Sequence, residues 1–203
     1  MINTLIFDFG NVFINLDIEN AAKYAFEAFE IHSIPEDIAA FNNLYEQGLV
    51  STEEFTGFYV ENFPQLSKEK FIHIWNAMLK DFPERRLKFI QQLKKEGQYK
   101  LILLSNTNAL HIDYIQHNVP FYNAFKNSFD AFYLSHEINL RKPDKAIFEF
   151  VLTQNRLTPE NCLFIDDNKQ NCETANNLGI NTWHINPETE DVSLLFKTKK
   201  HLF

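Results

Sequence analysis

Four polar sites in this chain are spaced so that they could do chemistry together. Asp166 and Asp167 put two adjacent carboxylates directly behind the apolar run Cys162–Ile165. Like charges side by side repel, so something cationic is expected near them. A hard cation such as Mg²⁺ meets that need, because it takes oxygen ligands. Asp8 lies at the end of the first apolar run, Thr4–Phe9, and Ser105-Asn106 follow Lys100–Leu104. They offer a carboxylate, a hydroxyl and amide donors. Lys142, just before Pro143, offers a positive charge. Each site alone has an ordinary alternative as a turn or helix cap, or as a solvated lysine. Taken together and in this order, they point to one crevice.

The elements that must position them follow from the apolar runs. These are Thr4–Phe9, Lys100–Leu104, Ala131–Leu134, Cys162–Ile165 and Asn181–Ile185. Most are continuous rather than alternating, as expected for strands buried on both faces of a parallel sheet. Helical segments lie between the later runs. Glu84–Glu96 is expected to stop at Gly97, and Asn168–Leu178 at Gly179. Pro143–Gln154 is expected to start with proline in its first turn, with Lys142 opening that helix. Such alternation predicts an α/β fold, a Rossmann-like parallel sheet with flanking helices. Ligands of such sheets bind at the carboxyl ends of the strands, where the four polar sites fall.

Residues 17–84 break the alternation. They are too long for one crossover and read as helical throughout. Ser33-Ile-Pro-Glu36 and Ser51-Thr-Glu-Glu54 both fit the capping-box pattern. Phe26, Phe29, Phe55, Phe58, Phe71 and Trp75 recur at helical spacing and are expected to form a core. The expected organisation is an α/β core domain of residues 1–16 and 85–203, with a helical domain inserted at 17–84.

Composition narrows the function. Five glycines occur in 203 residues, and the nearest pair, Gly48 and Gly57, is nine apart. That excludes both a G-x-G-x-x-G fingerprint and a P-loop, so any phosphate must be held by other means. The net charge is −8. Residues 17–84 carry 4 basic and 13 acidic side chains, which accounts for all of it. Nucleic acid and anionic membranes are therefore disfavoured as partners. No apolar run reaches the ~20 residues of a membrane span. Two cysteines, Cys162 and Cys172, are too few for a disulfide framework and are expected to be buried, which fits a cytoplasmic location. The seven histidines show no zinc-site spacing, and His111 and His117 are expected on a solvated segment.

Four short motifs carry a family resemblance: Asp8-Phe-Gly-Asn-Val12, Leu103-Leu-Ser-Asn-Thr107, Arg141-Lys-Pro-Asp144 and Phe164-Ile-Asp-Asp-Asn168, the last followed by Asn171. In this order, with a helical insertion after the first, the chain resembles the haloacid dehalogenase superfamily, whose members are mostly phosphatases. The wording is most similar to the sugar-phosphate branch typified by bacterial alpha-glucose-1-phosphate phosphatase. The resemblance implies that Asp8 attacks phosphorus and forms an aspartyl-phosphate. It implies Mg²⁺ on Asp8, the carbonyl of Gly10 and Asp167, with Asp166 acting directly or through water. It implies phosphate contacts from Ser105, Asn106, Lys142 and Asn11, and a helical cap at residues 17–84. The implied substrate is a small phosphorylated metabolite, with glucose 1-phosphate favoured.

One position departs from the family pattern. An acid–base Asp is usual two residues after the nucleophile, and here that residue is Gly10. Either the leaving group needs little protonation, as for an anomeric sugar phosphate, or the chain is a weak or inactive binding or regulatory protein. Metal-free dehalogenase chemistry is disfavoured by the Asp166-Asp167 pair. The turn Tyr45-Glu-Gln-Gly48 is expected to face the crevice, with Tyr45 and Gln47 as candidate substrate contacts. The acidic insertion favours a neutral sugar or polyol monophosphate. Oligomeric state is not legible in the sequence.

Overall fold

The computed structural model describes all 203 residues. Its order is β1 (Thr4–Phe7), α1 (Ile18–Phe29), α2 (Glu36–Glu46), α3 (Thr52–Asn62), α4 (Lys68–Asn76), α5 (Glu84–Glu96) and β2 (Lys100–Ser105). Then follow α6 (Ala109–Asn118), α7 (Tyr122–Lys126), β3 (Ala131–Leu134), α8 (Ser135–Ile138), α9 (Lys145–Asn155) and β4 (Cys162–Asp166). The chain closes with α10 (Lys169–Asn177), β5 (Asn181–His184) and α11 (Leu195–Thr198). The strands form one sheet in the order β3-β2-β1-β4-β5, and every pairing is parallel.

The continuous apolar runs are explained by burial on both sheet faces. Successive side chains of a strand point to opposite faces. Leu5, Phe7, Leu101, Leu103, Leu163 and Ile165 enter one cluster with α5 and α7. Ile6, Ile102, Leu104 and Phe164 enter a second, with Ile147, Phe148 and Val151 of α9. No helix is long and apolar enough to cross a membrane.

Helices α1 to α4 share a third core. Phe55 is fully buried against Tyr45, Tyr59, Phe71 and Trp75. Ser51 forms the expected capping box with Glu54. Ser33 does not. Pro35 occupies the cap position of α2 and no side chain caps that end. A residue before proline is steered away from helical backbone, so Ile34 cannot begin the helix and Ser33 is left outside it.

Other boundaries also moved. β1 stops at Phe7, so Asp8 already lies in the turn beyond it. Helix α9 begins at Lys145 rather than Pro143, because the Asp144 side chain accepts from the Ala146 N–H at 2.9 Å and caps it. Lys142 therefore sits in the preceding loop, next to a cis Lys142–Pro143 bond, instead of opening the helix. Gly97 ends α5 in the left-handed conformation, as expected.

Candidate functional site

The register of the sheet assembles the site. Phe7 of β1 pairs with Ile165 of β4 and with Leu103 of β2. The next residues, Asp8 and Asp166, and Ser105, two beyond Leu103 at the end of β2, therefore emerge together at the carboxyl edge. The Asp8 N–H also donates to the Ile165 carbonyl at 2.9 Å, holding the turn after β1 against β4. All three are buried.

Lys142 reaches this point from the loop before α9 and is 1% exposed. Its ammonium donates to Asp8 Oδ1 at 2.6 Å, to Asp166 Oδ2 at 2.6 Å and to the Leu104 carbonyl at 2.9 Å. Three protons meet three acceptors, so the ammonium is fully satisfied. The Phe164 ring lies 5.3 Å from Nζ. Burial alone would lower the lysine pKa, but Asp166 and Asp8 outweigh it and raise it. Burial dominates at Asp8, and its pKa is pushed up to about 7, with Lys142 opposing and Asp166 and Asp167 adding to the rise. Burial also raises Asp167.

The surrounding amides fix these groups. The Asn106 side chain clamps the Lys142 backbone: its Nδ2 donates to the Lys142 carbonyl and its Oδ1 accepts from the Lys142 N–H, both at 2.8 Å. Asn171 Nδ2 donates to both Asp166 oxygens, at 3.1 and 3.0 Å, and the Asn168 N–H donates to Asp166 Oδ1 at 2.7 Å. Asn11 is in the left-handed conformation (φ 54°), which its short polar side chain tolerates. It joins the Leu16 N–H to Asp167 Oδ2, at 3.0 and 2.8 Å.

Asp8, Asp166 and Asp167 each present a carboxylate oxygen within 4.8 Å of the others. This hard-oxygen set can hold a divalent metal ion. Asp8 Oδ1 is taken by Lys142, which leaves Oδ2 for a ligand.

The side-chain amides and the Tyr45–Gly48 turn take partners that the sequence did not indicate. Asn106 holds Lys142 in place with its side chain, and Asn11 holds Asp167. Tyr45 is not a substrate contact. It is 2% exposed, stacks on Phe55 at 3.9 Å, and its hydroxyl bonds Thr52 Oγ1 and the Leu110 N–H. An aromatic side chain buries more area in the helical core than at an open crevice. Gln47 turns back, donating to the Asn43 carbonyl at 3.2 Å. The Tyr45–Gly48 turn instead docks on α8 and its loop. Ser135 Oγ donates to the Glu46 carbonyl at 2.6 Å, and Arg141 pairs with the Glu46 carboxylate at 2.9 Å.

His111 is buried, not solvated. Its ring stacks on Trp75 at 5.6 Å, Asn108 Nδ2 lies 3.1 Å from Nδ1, and Nε2 lies 3.1 Å from the Trp75 carbonyl. Burial lowers its pKa to about 4, so it is neutral at pH 7, donates from Nε2 and accepts at Nδ1. His117 is exposed, and both cysteines are buried.

A family model described as haloacid dehalogenase-like hydrolase matches residues 2–179. The chain belongs to that family. A family enzyme from Bacteroides thetaiotaomicron, solved as a magnesium complex, is 32% identical and superposes with a TM-score of 0.85 over 97% of this chain and 98% of its own. A variant of that enzyme, solved with magnesium and inorganic phosphate, is 31% identical with a TM-score of 0.82, over 97% of this chain and 99% of its own. A D-ribitol-5-phosphate phosphatase, also from Bacteroides thetaiotaomicron, is 26% identical over 90% of this chain and 91% of its own length. The motifs around Asp8, Ser105, Lys142 and Asp166 are what this hydrolase brings together at one edge of its sheet.

Proposed function

We propose that this hydrolase is a magnesium-dependent phosphatase of a small sugar or polyol monophosphate, acting through Asp8. The observation that carries the reading is the buried triangle of Asp8, Lys142 and Asp166 beside Asp167. A buried ion set of this kind is costly unless every charge is paired, and sites of function are where such costs are retained. The relatives in magnesium and phosphate complexes, and the phosphatase among them, support it.

Asp8, Asp167 and the carbonyl of Gly10 would hold Mg²⁺, with Asp166 joining directly or through water. Bound there, the ion would supply positive charge between the Asp8 carboxylate and the phosphate. Ser105 and the backbone at Asn106 bind phosphate oxygens. Lys142 orients Asp8 and offsets negative charge. An Asp8 oxygen bonds to phosphorus as the ester bond breaks, the electron pair leaves on the sugar oxygen, and water then hydrolyses the aspartyl-phosphate. Residues 17–84 act as the cap that covers the bound ester.

Glucose 1-phosphate and ribitol 5-phosphate are the first two esters to compare. The net −9 of residues 17–84 favours a substrate with no charge beyond its phosphate. A second reading, a phosphate-binding protein without turnover, rests on Gly10, which offers no acid–base side chain. Turnover of para-nitrophenyl phosphate that requires magnesium supports the phosphatase. Tight phosphate binding with no turnover of any activated ester would establish the second reading instead.

A further inference from the structure

We propose that Ser135 is a positioning residue of this site: its buried hydroxyl ties the phosphate-binding loop to the helical cap, so that docking of the cap and binding of phosphate favour one another. This role rests on the phosphatase reading, which places phosphate at Ser105 and Asn106.

No charged residue directly follows β3. The next residue is Ser135, the first of α8. Ser105 of β2 pairs with Leu134 of β3, so the chain beyond each strand runs on side by side, and Ser135 meets Thr107 there. Ser135 is fully buried. Its Oγ accepts from the Thr107 N–H at 2.9 Å and lies 2.6 Å from the Glu46 carbonyl and 2.9 Å from the Thr107 carbonyl. A hydroxyl carries one proton, so only one of the two carbonyls receives it, and the shorter contact gives it to Glu46. Glu46 is the last residue of α2, where a carbonyl has no partner within its own helix. The Thr107 N–H makes no other hydrogen bond. One buried oxygen therefore joins α8, the end of β2 and the cap.

The loop it holds is the one that phosphate needs. Thr107 follows Asn106, whose side chain clamps the Lys142 backbone. The segment from Ser105 to Thr107 is thus held by Lys142 on one side and by Ser135 on the other. If the cap turn lifts, Glu46 withdraws its acceptor and the Ser135 proton turns to the Thr107 carbonyl. No buried donor is stranded, so this seam can open, but Thr107 is then held by a different set of bonds. A loop that differs between docked and undocked cap couples the two states to phosphate, and such coupling is reciprocal. The other bond at this turn, from Asn139 Nδ2 to the Gln47 carbonyl at 2.7 Å, touches no part of the loop.

The test uses inorganic phosphate with magnesium as the probe and compares its dissociation constant among variants. Ser135→Ala is expected to weaken binding by about tenfold, the size of one or two lost hydrogen bonds. Asn139→Gly loses a cap bond at the same turn, and its left-handed backbone (φ 57°) suits glycine, so binding should stay within about twofold. Gly48→Ala, which lifts the turn, should weaken binding by about fivefold alone and by less than about twofold in the Ser135→Ala background. Equal losses in Ser135→Ala and Asn139→Gly, or the same loss from Gly48→Ala in both backgrounds, would overturn the coupling through Ser135. Hydrogen exchange reads the reverse direction: saturating phosphate should slow exchange in α2 and α3 of the unaltered protein but not of Ser135→Ala, and equal slowing would refute the link. Exchange of the Thr107 amide should also be faster in Gly48→Ala than in the unaltered protein. That measurement needs neither phosphate nor a Ser135 variant, and an unchanged rate would count against Ser135. Failure of the unaltered protein to bind phosphate would overturn the phosphatase reading instead.

Discussion

Lys142 is the residue on which the site's charges balance. It separates two buried carboxylates that would otherwise face each other. Lys142→Met is expected to lower the stability of the metal-free protein by about 3–5 kcal/mol, the usual cost of unpairing a buried charge. Denaturant unfolding measures this, and a loss below about 1 kcal/mol would refute the role. Asp8→Asn keeps the shape and an acceptor for Lys142 but removes the nucleophilic oxygen. Turnover should fall by at least about 10³-fold with the melting temperature retained, and full activity would exclude Asp8 as nucleophile. Asp8 stood out in the sequence as a charge at the end of an apolar run, and Lys142 as a charge just before Pro143. The amides were less legible. The side chains of Asn106 and Asn11 bond to Lys142 and to Asp167, partners that their residue type does not announce. An asparagine donates and accepts equally well, so its type does not tell which partner it will take.

At the scale of elements, α5 is tied to both the site loop and the C-terminal segment. Arg86 is 3% exposed, and its guanidinium donates to Asp191, to the Phe13 carbonyl and to Asn15 Oδ1. Burial alone would raise the Asp191 pKa, but hydrogen bonds from Ser193 and Arg85 and the charge of Arg86 hold it at about 2. Its folded pKa is below the unfolded value of 3.8, so it stabilises the fold above pH 3.8. That contribution is lost as pH falls towards 2. Asp191→Asn should therefore destabilise on the order of 1–2 kcal/mol at neutral pH after solvent screening, and far less near pH 2. Melting temperatures across that range would expose the opposite trend if the pairing were idle. None of this linkage was visible beforehand, because Arg86 and Asp191 are 105 residues apart.

In the whole molecule, the acidic helical unit is fastened to the cap of α6 and to α8. Trp75 donates to Asn108 at 3.2 Å, and the turn at Gly48 lies on α8. Gly48 has φ +67°, and a Cβ there would sit 2.0 Å from the His136 carbonyl oxygen. Backbone cannot yield as a flexible side chain can, so Gly48→Ala must lift the turn. It is expected to lower stability by more than about 1 kcal/mol, and to speed hydrogen exchange through α2 and α3 ahead of the sheet. Unchanged exchange in those helices would mean that the turn is not a fastening. Tyr45 is taken by the helical core and the Gln47 side chain by the Asn43 carbonyl, so neither side chain is offered to the crevice.

The sequence by itself determined the parallel sheet, the helical insertion, and the charged residues at the strand ends. These follow from local rules: apolar runs define buried strands, and a charge directly after such a run must lie at the sheet's edge. Only the tertiary structure decided the partners. It directed Asn106 to Lys142 and Asn11 to Asp167, enclosed His111 under Trp75, and turned Tyr45 into the helical core. It also gave a second meaning to Gly10. The sequence shows only that a side chain is missing there. The fold shows that a Cβ there would meet the end of the Leu16 side chain, six residues on in the same loop, at 2.8 Å. Contacts of this kind depend on how a loop returns on itself, and no periodicity or motif records that.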